Sequence, residues 1–331
     1  MAIIGYFKNA TEMARLVQSK LLPGVVQEIY EVGQLLPQSP ITTIDSLTLK
    51  WNREKTLPAV TAKGRGEQYG WKEEVDLAAA EVALKEFGDQ WALPKFVQDT
   101  YKNPNDYRGV MMKQIIKGAL RTVEDKLIYG DATTYTKEFD GLDKLCAATG
   151  ADTFAAGKQN HDMGGGNIGL SVTVLLQLIR ACKPRPDILL MPPQIQDQLF
   201  IHGMGKAGAI VMARQPNEFG RLIPSVNGIP IVVSDYLTIE NDNTGGKATS
   251  GDLVSVYAIR FGSIEDGGVS VCIGGKTGGR DFFETDFFEK LESYNAEGIR
   301  AYCYAAMAMG STKSVARVHS INRTKAIDAT S

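Results

Sequence analysis

Two glycine-rich stretches and one run of carboxylates are the places where residue type and spacing could do chemistry. Gly164, Gly166 and Gly169 stand at the G-x-G-x-x-G spacing that lets a backbone cradle a pyrophosphate ahead of a helix, and Asp187 lies near the distance of a ribose-binding acid. That chemistry needs a strand immediately before the first glycine, and residues 159–163 do not read as one, so a flexible glycine linker is preferred. Gly275, Lys276 and Thr277 look like the end of a phosphate-binding loop, but position 270, where the motif needs its first glycine, is Ser270. A glycine-rich turn between strands explains them. Asp281, Glu284, Asp286 and Glu289 could pair for acid–base work, yet they alternate with Phe282-Phe283 and Phe287-Phe288. A strand or short helix with one apolar face gives the same pattern without catalysis. Aromatic content of this kind suits packing against another element or another chain.

Metal and thiol chemistry find less support. Cys146, Cys182, Cys272 and Cys303 are far apart with no C-x-x-C pair, and His161, His202 and His319 do not pair at ligand spacing. Four reduced, buried thiols, no metal and no cofactor are the expectation. Lys313, Arg317, Arg323 and Lys325 form a modest basic run that reads as a solvated edge.

The chain has 331 residues, 44% of them apolar and 22% charged, so it can bury a core and is neither disordered nor collagen-like. Thirty-six Lys and Arg against 38 Asp and Glu leave a formal charge of -2, which excludes a surface that grips nucleic acid all over. No apolar run approaches the ~18 residues that span a bilayer. The first residues lack the basic start and apolar stretch of a signal peptide, so a soluble protein made in the cytosol is expected.

The elements that must position these residues follow from periodicity. Residues 9–21 read as a short helix, with Asn9 and Glu12 spaced as a capping box and Met13, Leu16, Val17 and Leu21 on one face. A second short helix is expected over 25–32, after which Pro37 and Pro40 force an extended segment. Neither helix builds a core, so this part reads as an arm lying on something else. Leu47, Leu49 and Trp51 then alternate with Thr48, Lys50 and Asn52 in a strand. A polar loop bearing Gly64 and Gly66 leads to a returning segment near 69–76, giving a long hairpin whose tip cannot pack on its own domain. Residues 81–87 alternate again, and Gly88-Asp89 reads as a turn into a further strand.

Asn103, Pro104 and Asp106 start a long helix with Tyr107, Val110, Met111, Ile115, Ala119, Val123 and Leu127 on one stripe and Gly130 as its stop. Gly118, beside that stripe, reads as a place where a strand approaches closely. Helices over 170–181 and from Pro193, and a strand over 187–191, follow. A hairpin over 221–233 turns at Asn227-Gly228, and Pro230 puts its second strand at a sheet edge. Residues 240–251 read as a polar surface loop, and strands follow at 253–261, 269–273, 298–309 and 314–321. There is no βαβαβ alternation, so the class is α+β and not a doubly wound parallel sheet.

In this order the elements resemble the major capsid proteins of tailed bacteriophages, the fold named after coliphage Hong Kong 97. The resemblance is carried by the Pro-rich arm, the hairpin through Gly66, the helix ending at Gly130-Asp131 with Gly141-Leu142 beyond it, the Asp187-to-Pro192 segment and the Gly228-to-Val232 segment; it covers about residues 25–325. Ala132 stands where the family commonly has a glycine. The resemblance implies an N-terminal arm (1–45), an extended β-hairpin loop (46–80), an axial domain (150–276), and a peripheral domain in two parts (81–149, with a spine helix over 104–129, and 277–331). It implies a structural protein and not an enzyme: a virion coat subunit that self-assembles as pentamers and hexamers of an icosahedral shell around double-stranded DNA in the bacterial host cytoplasm. Implied partners are other copies of the chain, a separate scaffolding protein, a portal protein and a decoration protein. Contact with packaged DNA would be non-specific, and none with a membrane is implied. Within the extended loop, Trp51, Arg53, Glu54, Lys55, Lys63 and Arg65 are the expected intersubunit contacts. Some relatives cross-link a loop lysine to a neighbour's asparagine; Lys55 and Lys63 lie in this loop, but no asparagine or assisting glutamate can be matched. The rival readings are an encapsulin-type nanocompartment shell, which resembles the same fold but encloses enzymes, and a nucleotide-using enzyme built on the two glycine motifs.

Overall fold

A computed structural model describes residues 33–56, 60–68, 76–96, 107–146, 153–154, 158–164, 166, 168–205, 213–216, 222–241, 246–274, 283–292 and 295–328. The two helices expected before residue 33, the start of the long helix, the returning hairpin segment at 69–75 and the Gly275-Lys276-Thr277 turn lie outside them.

Hydrophobic alternation along β13 (Ala296–Met309) builds the first sheet. Ile299, Ala301, Cys303, Ala305 and Met307 are all buried, as the period of two demands. This strand pairs antiparallel with β4 (Lys85–Pro94) along one edge. Its other edge takes β12 (Glu284–Phe288) and then β11 (Val269–Gly274), and β1 (Ile41–Ile44) adds in parallel to β11. Gly88-Asp89 is therefore not a turn but the middle of β4. A Cβ on Gly88 would stand 2.5 Å from the Ala301 carbonyl oxygen, so glycine there serves close approach to β13.

Across this sheet lies α2 (Tyr107–Tyr129), 23 residues long and hence ~35 Å, with Met111, Ile115, Ala119, Val123 and Leu127 buried as their spacing predicts. Gly118 is not where a strand approaches: a Cβ there would meet nothing within 4 Å. The close approach falls at the helix end instead. A Cβ on Gly130 would sit 2.2 Å from the Phe139 oxygen and one on Gly141 2.8 Å from the Ile128 oxygen, while Gly141 N donates to Gly130 O at 2.9 Å. The paired glycines close the turn into α3 (Leu142–Leu145) because no side chain fits between the two backbones.

The second sheet has seven strands in the order β5 (Asn160–Asp162), β14 (Val315–Asn322), β10 (Leu253–Ile259), β6 (Ile188–Met191), β9 (Ile229–Val233), β8 (Leu222–Val226) and β7 (Ala213–Pro216). It packs against α4 (Val172–Ala181) and α5 (Pro193–Gly205), with Leu175, Leu178, Ile195 and Leu199 buried. Asn227 and Gly228, with φ of 50° and 76°, make the expected hairpin turn between β8 and β9. β9 is interior rather than an edge. Pro230 is tolerated because the ladder to β6 begins only at Ile231, one residue later, so no bond to β6 is forfeited.

Sheet membership also departs from chain order. β11, expected in the middle piece, belongs to the five-stranded sheet, and β14, expected outside it, lies deep in the seven-stranded one. The last two paired elements, β2 (Thr48–Thr56) and β3 (Asp76–Ala83), form a two-stranded ribbon of their own. Among the described residues no helix is long and apolar enough to cross a membrane.

Candidate functional site

The β2–β3 ribbon is the element whose own chain satisfies it least. Nine residues at ~3.4 Å each make β2 about 30 Å long. Near its base it rests on the body: Leu49, Trp51 and Val82 pack against the core beneath. Arg53 Nε donates to the Gly310 oxygen at 2.9 Å, its Nη2 donates to the Met309 oxygen, and its guanidinium lies 5.4 Å from the Trp51 ring centroid. Partial burial lowers the Arg53 pKa from its ordinary value. Trp51 and Arg53, expected to reach another subunit, thus anchor the ribbon to its own chain. The reason is steric: they fall on the ribbon half that lies over the C-terminal end of β13, so Leu49 and Trp51 of the face found from alternation pack intramolecularly, while Leu47 stays exposed.

Beyond that anchor the ribbon is bare. Glu54 is exposed, and so is every residue of the tip from 60 to 68, with Val60 at 92%. Among the described residues the tip is held by its own short-range contacts: Gly64 N donates to Glu67 Oε2 at 2.7 Å, Lys63 stands 3.9 Å from Glu67, and Gly66 takes a φ of 86°. Lys63 and Arg65 sit there as expected. The Lys55 side chain lies outside the described residues. Exposed apolar groups recur elsewhere on the surface, at Leu47, Phe96, Ile201, Met204 and Phe287. The carboxylate run resolves into β12, an outer strand on which Tyr302 donates to Glu284 at 2.9 Å and Arg300 covers Phe288.

Two junctions hold this surface in place, and neither is evident from periodicity. Glu124 on α2, only 4% exposed, accepts Leu35 N at 2.7 Å and Leu36 N at 2.9 Å, which fastens α1 (Leu35–Gln38) and the segment around it to the long helix. Burial pushes the Glu124 carboxyl up, against the pull of those two N–H groups. Between the seven-stranded sheet and α3, Arg317 is buried, although the basic run read as a solvated edge. Its Nη2 is 2.8 Å from Glu240, its Nε donates to Ser255 Oγ at 3.1 Å, and its Nη1 is 2.6 Å from Asp143. Glu240 was expected in a surface loop; it is buried and also accepts from Tyr129 at 2.9 Å. Burial works against the Arg317 charge, but Tyr257, Glu240 and Asp143 offset it and raise the guanidinium pKa above its ordinary value. Arg317 alternates with apolar Ala316 and Val318 on β14, a pattern that normally marks a solvent face; here both faces of the strand are covered.

The glycine stretch at 164–169 and the cysteines are accounted for by packing. A short strand, β5, does precede the glycine loop, contrary to expectation, but the loop serves packing. A Cβ on Gly169 would fall 2.2 Å from the Ala326 oxygen, and Gly166 O accepts from Asn322 at 2.6 Å. The start of α4 is occupied by Asp328, whose Oδ1 accepts from Ser171 Oγ at 2.9 Å and Val172 N at 3.0 Å, so a phosphate approaching it would meet a carboxylate. Burial pushes the thiols of Cys146, Cys182 and Cys303 up to about 12 and Cys272 to about 11, which keeps them protonated and unreactive at neutral pH. Among the described residues no three His, Cys, Asp or Glu side chains gather closely enough to hold a metal ion.

No protein-family model and no curated protein matches the chain. Solved structures do, end to end. The holo-SrpI encapsulin complex from Synechococcus elongatus is similar over 97% of this chain and 98% of its own, at 15% identity and a TM-score of 0.63. The capsid of a native GTA particle is similar over 94% and 98%, at 10% identity and a TM-score of 0.64. The capsid of the cyanophage P-SCSP1u is similar over 92% and 93%, at 11% identity and a TM-score of 0.60. At such identities the shared property is the fold.

Proposed function

We propose, from the premise that this chain has the Hong Kong 97-type fold, that it is the major capsid subunit of a tailed bacteriophage. It would assemble as hexamers and pentamers into an icosahedral head around double-stranded DNA, in the host cytoplasm and with separate scaffolding, portal and decoration proteins. The observation that carries the shell reading is the ribbon: an anchored base, then an exposed tip that the described residues of its own chain leave without a partner. A head-to-tail ring of copies supplies that partner. In this reading the five-stranded sheet with α2 is the peripheral domain, the seven-stranded sheet with α4 and α5 the axial domain, the ribbon the extended loop and residues 1–45 the arm, whose β1 adds to the peripheral sheet. Glu54, Lys63 and Arg65, with Lys55, are then the loop's intersubunit contacts, and Trp51 and Arg53 leave that set.

Capsid neighbours such as the GTA particle and the cyanophage favour DNA as the content. A nanocompartment shell is the second reading, favoured by the equally full coverage of the encapsulin. The test is assembly and then content. Expressed with its scaffolding partner, the chain should sediment as megadalton shells that electron microscopy shows as icosahedra. A stable 36.0 kDa monomer under all assembly conditions overturns the shell reading. Nuclease-protected DNA in native particles supports the phage head, whereas a protein cargo without DNA assigns the nanocompartment.

A further inference from the structure

Lys158, Arg180, Lys183 and Lys313 line one cleft of about 270 Å³ beside the C-terminal end of α4, with Gln159, Gln177 and Phe154 completing its wall. All four cations are exposed. Lys158, Arg180 and Lys183 have no carboxylate within ion-pair distance among the described residues. The helix end contributes about half a negative charge, enough to account for part of one of these three and not for all of them. In a chain whose formal charge is only -2, this is a local excess that repels itself unless an anion enters.

The cleft is also built. With the Gln159 amide turned so that both its ends are satisfied, its nitrogen donates to Ala181 O at 3.1 Å and Val315 O at 3.0 Å, and its oxygen accepts from Lys313 Nζ at 3.1 Å. Lys183 N donates to Lys313 O at 2.9 Å. Three segments, the lead into β5, the end of α4 and the lead into β14, are thereby locked together with their cations on one side. The Arg180 fork suits a phosphate bidentately, and the lysines act as point charges around it. A single carboxylate side chain would bring one charge to the cleft, whereas successive phosphates along a polyphosphate or nucleic-acid backbone bring several charges within its reach.

We infer that this cleft binds phosphate groups and that, in the shell, the ligand is the backbone of the packaged nucleic acid. The second half of that statement rests on the proposed function; the first does not. The unassembled full chain is titrated with a short labelled DNA duplex and, separately, with tripolyphosphate, across a range of NaCl concentrations. Arg180→Gln with Lys183→Gln should weaken both ligands by about tenfold or more and reduce the duplex salt slope by nearly 2, at ~0.9 for each phosphate that is no longer neutralised. Lys290→Gln with Lys137→Gln, two exposed lysines outside the cleft, should change neither. Equal losses in the two pairs, or no loss in the cleft pair, overturn the site. Loss restricted to tripolyphosphate overturns the nucleic-acid assignment. Impaired particle formation with both affinities intact also overturns the proposal, assigning the cleft to a carboxylate segment of a second copy. Particles filled with protein would sink the phage-head reading while leaving the subunit titration to decide the cleft.

Discussion

Where the seven-stranded sheet meets α3 the charge of Arg317 is met inside the chain by Glu240, Asp143 and Ser255, whereas at the ribbon tip Arg65 and its neighbours stand in solvent. The residue types are the same and the physics is opposite. A buried guanidinium has given up its water and must be compensated by fixed partners, so the junction tolerates one geometry. An exposed one keeps its water and gains little from any partner, so the tip tolerates many. The junction ties α2, α3, β10 and β14 into one body, and the tip is left adaptable. That division of labour is what a subunit needs if it must fold alone and then fit different neighbours.

The junction carries the largest expected effect. Arg317→Met removes the cation and leaves Glu240 and Asp143 buried without it, which should cost about 3–5 kcal/mol in urea unfolding. The loss should depend on pH with a definite sign. Burial already pushes the Glu240 carboxyl above its ordinary 4.5, and without Arg317 it moves further up. The folded state then binds the proton that the unfolded state has released, so the variant's stability is greatest below pH 4.5 and is lost as pH rises through the raised value. A variant that loses no more stability at pH 7 than at pH 4.5 would show that the junction is not electrostatic.

The ribbon anchor lies between the two extremes. Arg53→Ala removes two hydrogen bonds to backbone oxygens and the stacking over Trp51, in a half-buried setting, and should cost roughly 1–3 kcal/mol. Amide exchange should speed up along β2 and β3 and stay unchanged in α2. If exchange is unaltered in the ribbon, Trp51 and the strand pairing hold it without Arg53.

What could be read from sequence follows the same boundary. The stripe on α2 and the alternation on β13 were legible because one face meets the core and the period shows it. The glycines at 130 and 141 were legible as a pattern, and the structure supplies its cause in two backbones that touch. The Arg317 junction was not legible, because a strand with both faces covered hides its polar residues at the same spacing that a solvent-facing strand would show. Gly88 and Gly118 misled in opposite directions for one reason. A glycine marks either a turn, a close approach or nothing, and only the neighbouring chain decides which. At the ribbon, alternation found Leu49 and Trp51 but not the body beneath them, because the period shows an apolar face and not what covers it.

The smallest expected effect on folding belongs to the tip, and it separates the two regions most sharply. Lys63→Glu with Arg65→Glu touches residues that, among the described residues, meet only their own turn, so the unfolding free energy should change by no more than about 0.5 kcal/mol and circular dichroism should not move. Assembly should suffer all the same. Each rim contact contributes about 0–1 kcal/mol, but the same contact repeats at every subunit boundary, and reversing its sign turns a weak attraction into a repeated repulsion. Trypsin reads the same region without mutation. The tip opens at almost no cost in the free subunit, so Lys63 and Arg65 should be cut early there, while sites in the sheets and α2 wait for global unfolding. In the assembled shell the tip should be cut at least about tenfold more slowly, because cleavage then requires the contact with the neighbour to open first. Equal rates before and after assembly would put the ribbon on a free surface. The exposed tip would then be ornament, and the search for the partner-seeking element would move to the exposed apolar groups at Phe287 and Met204.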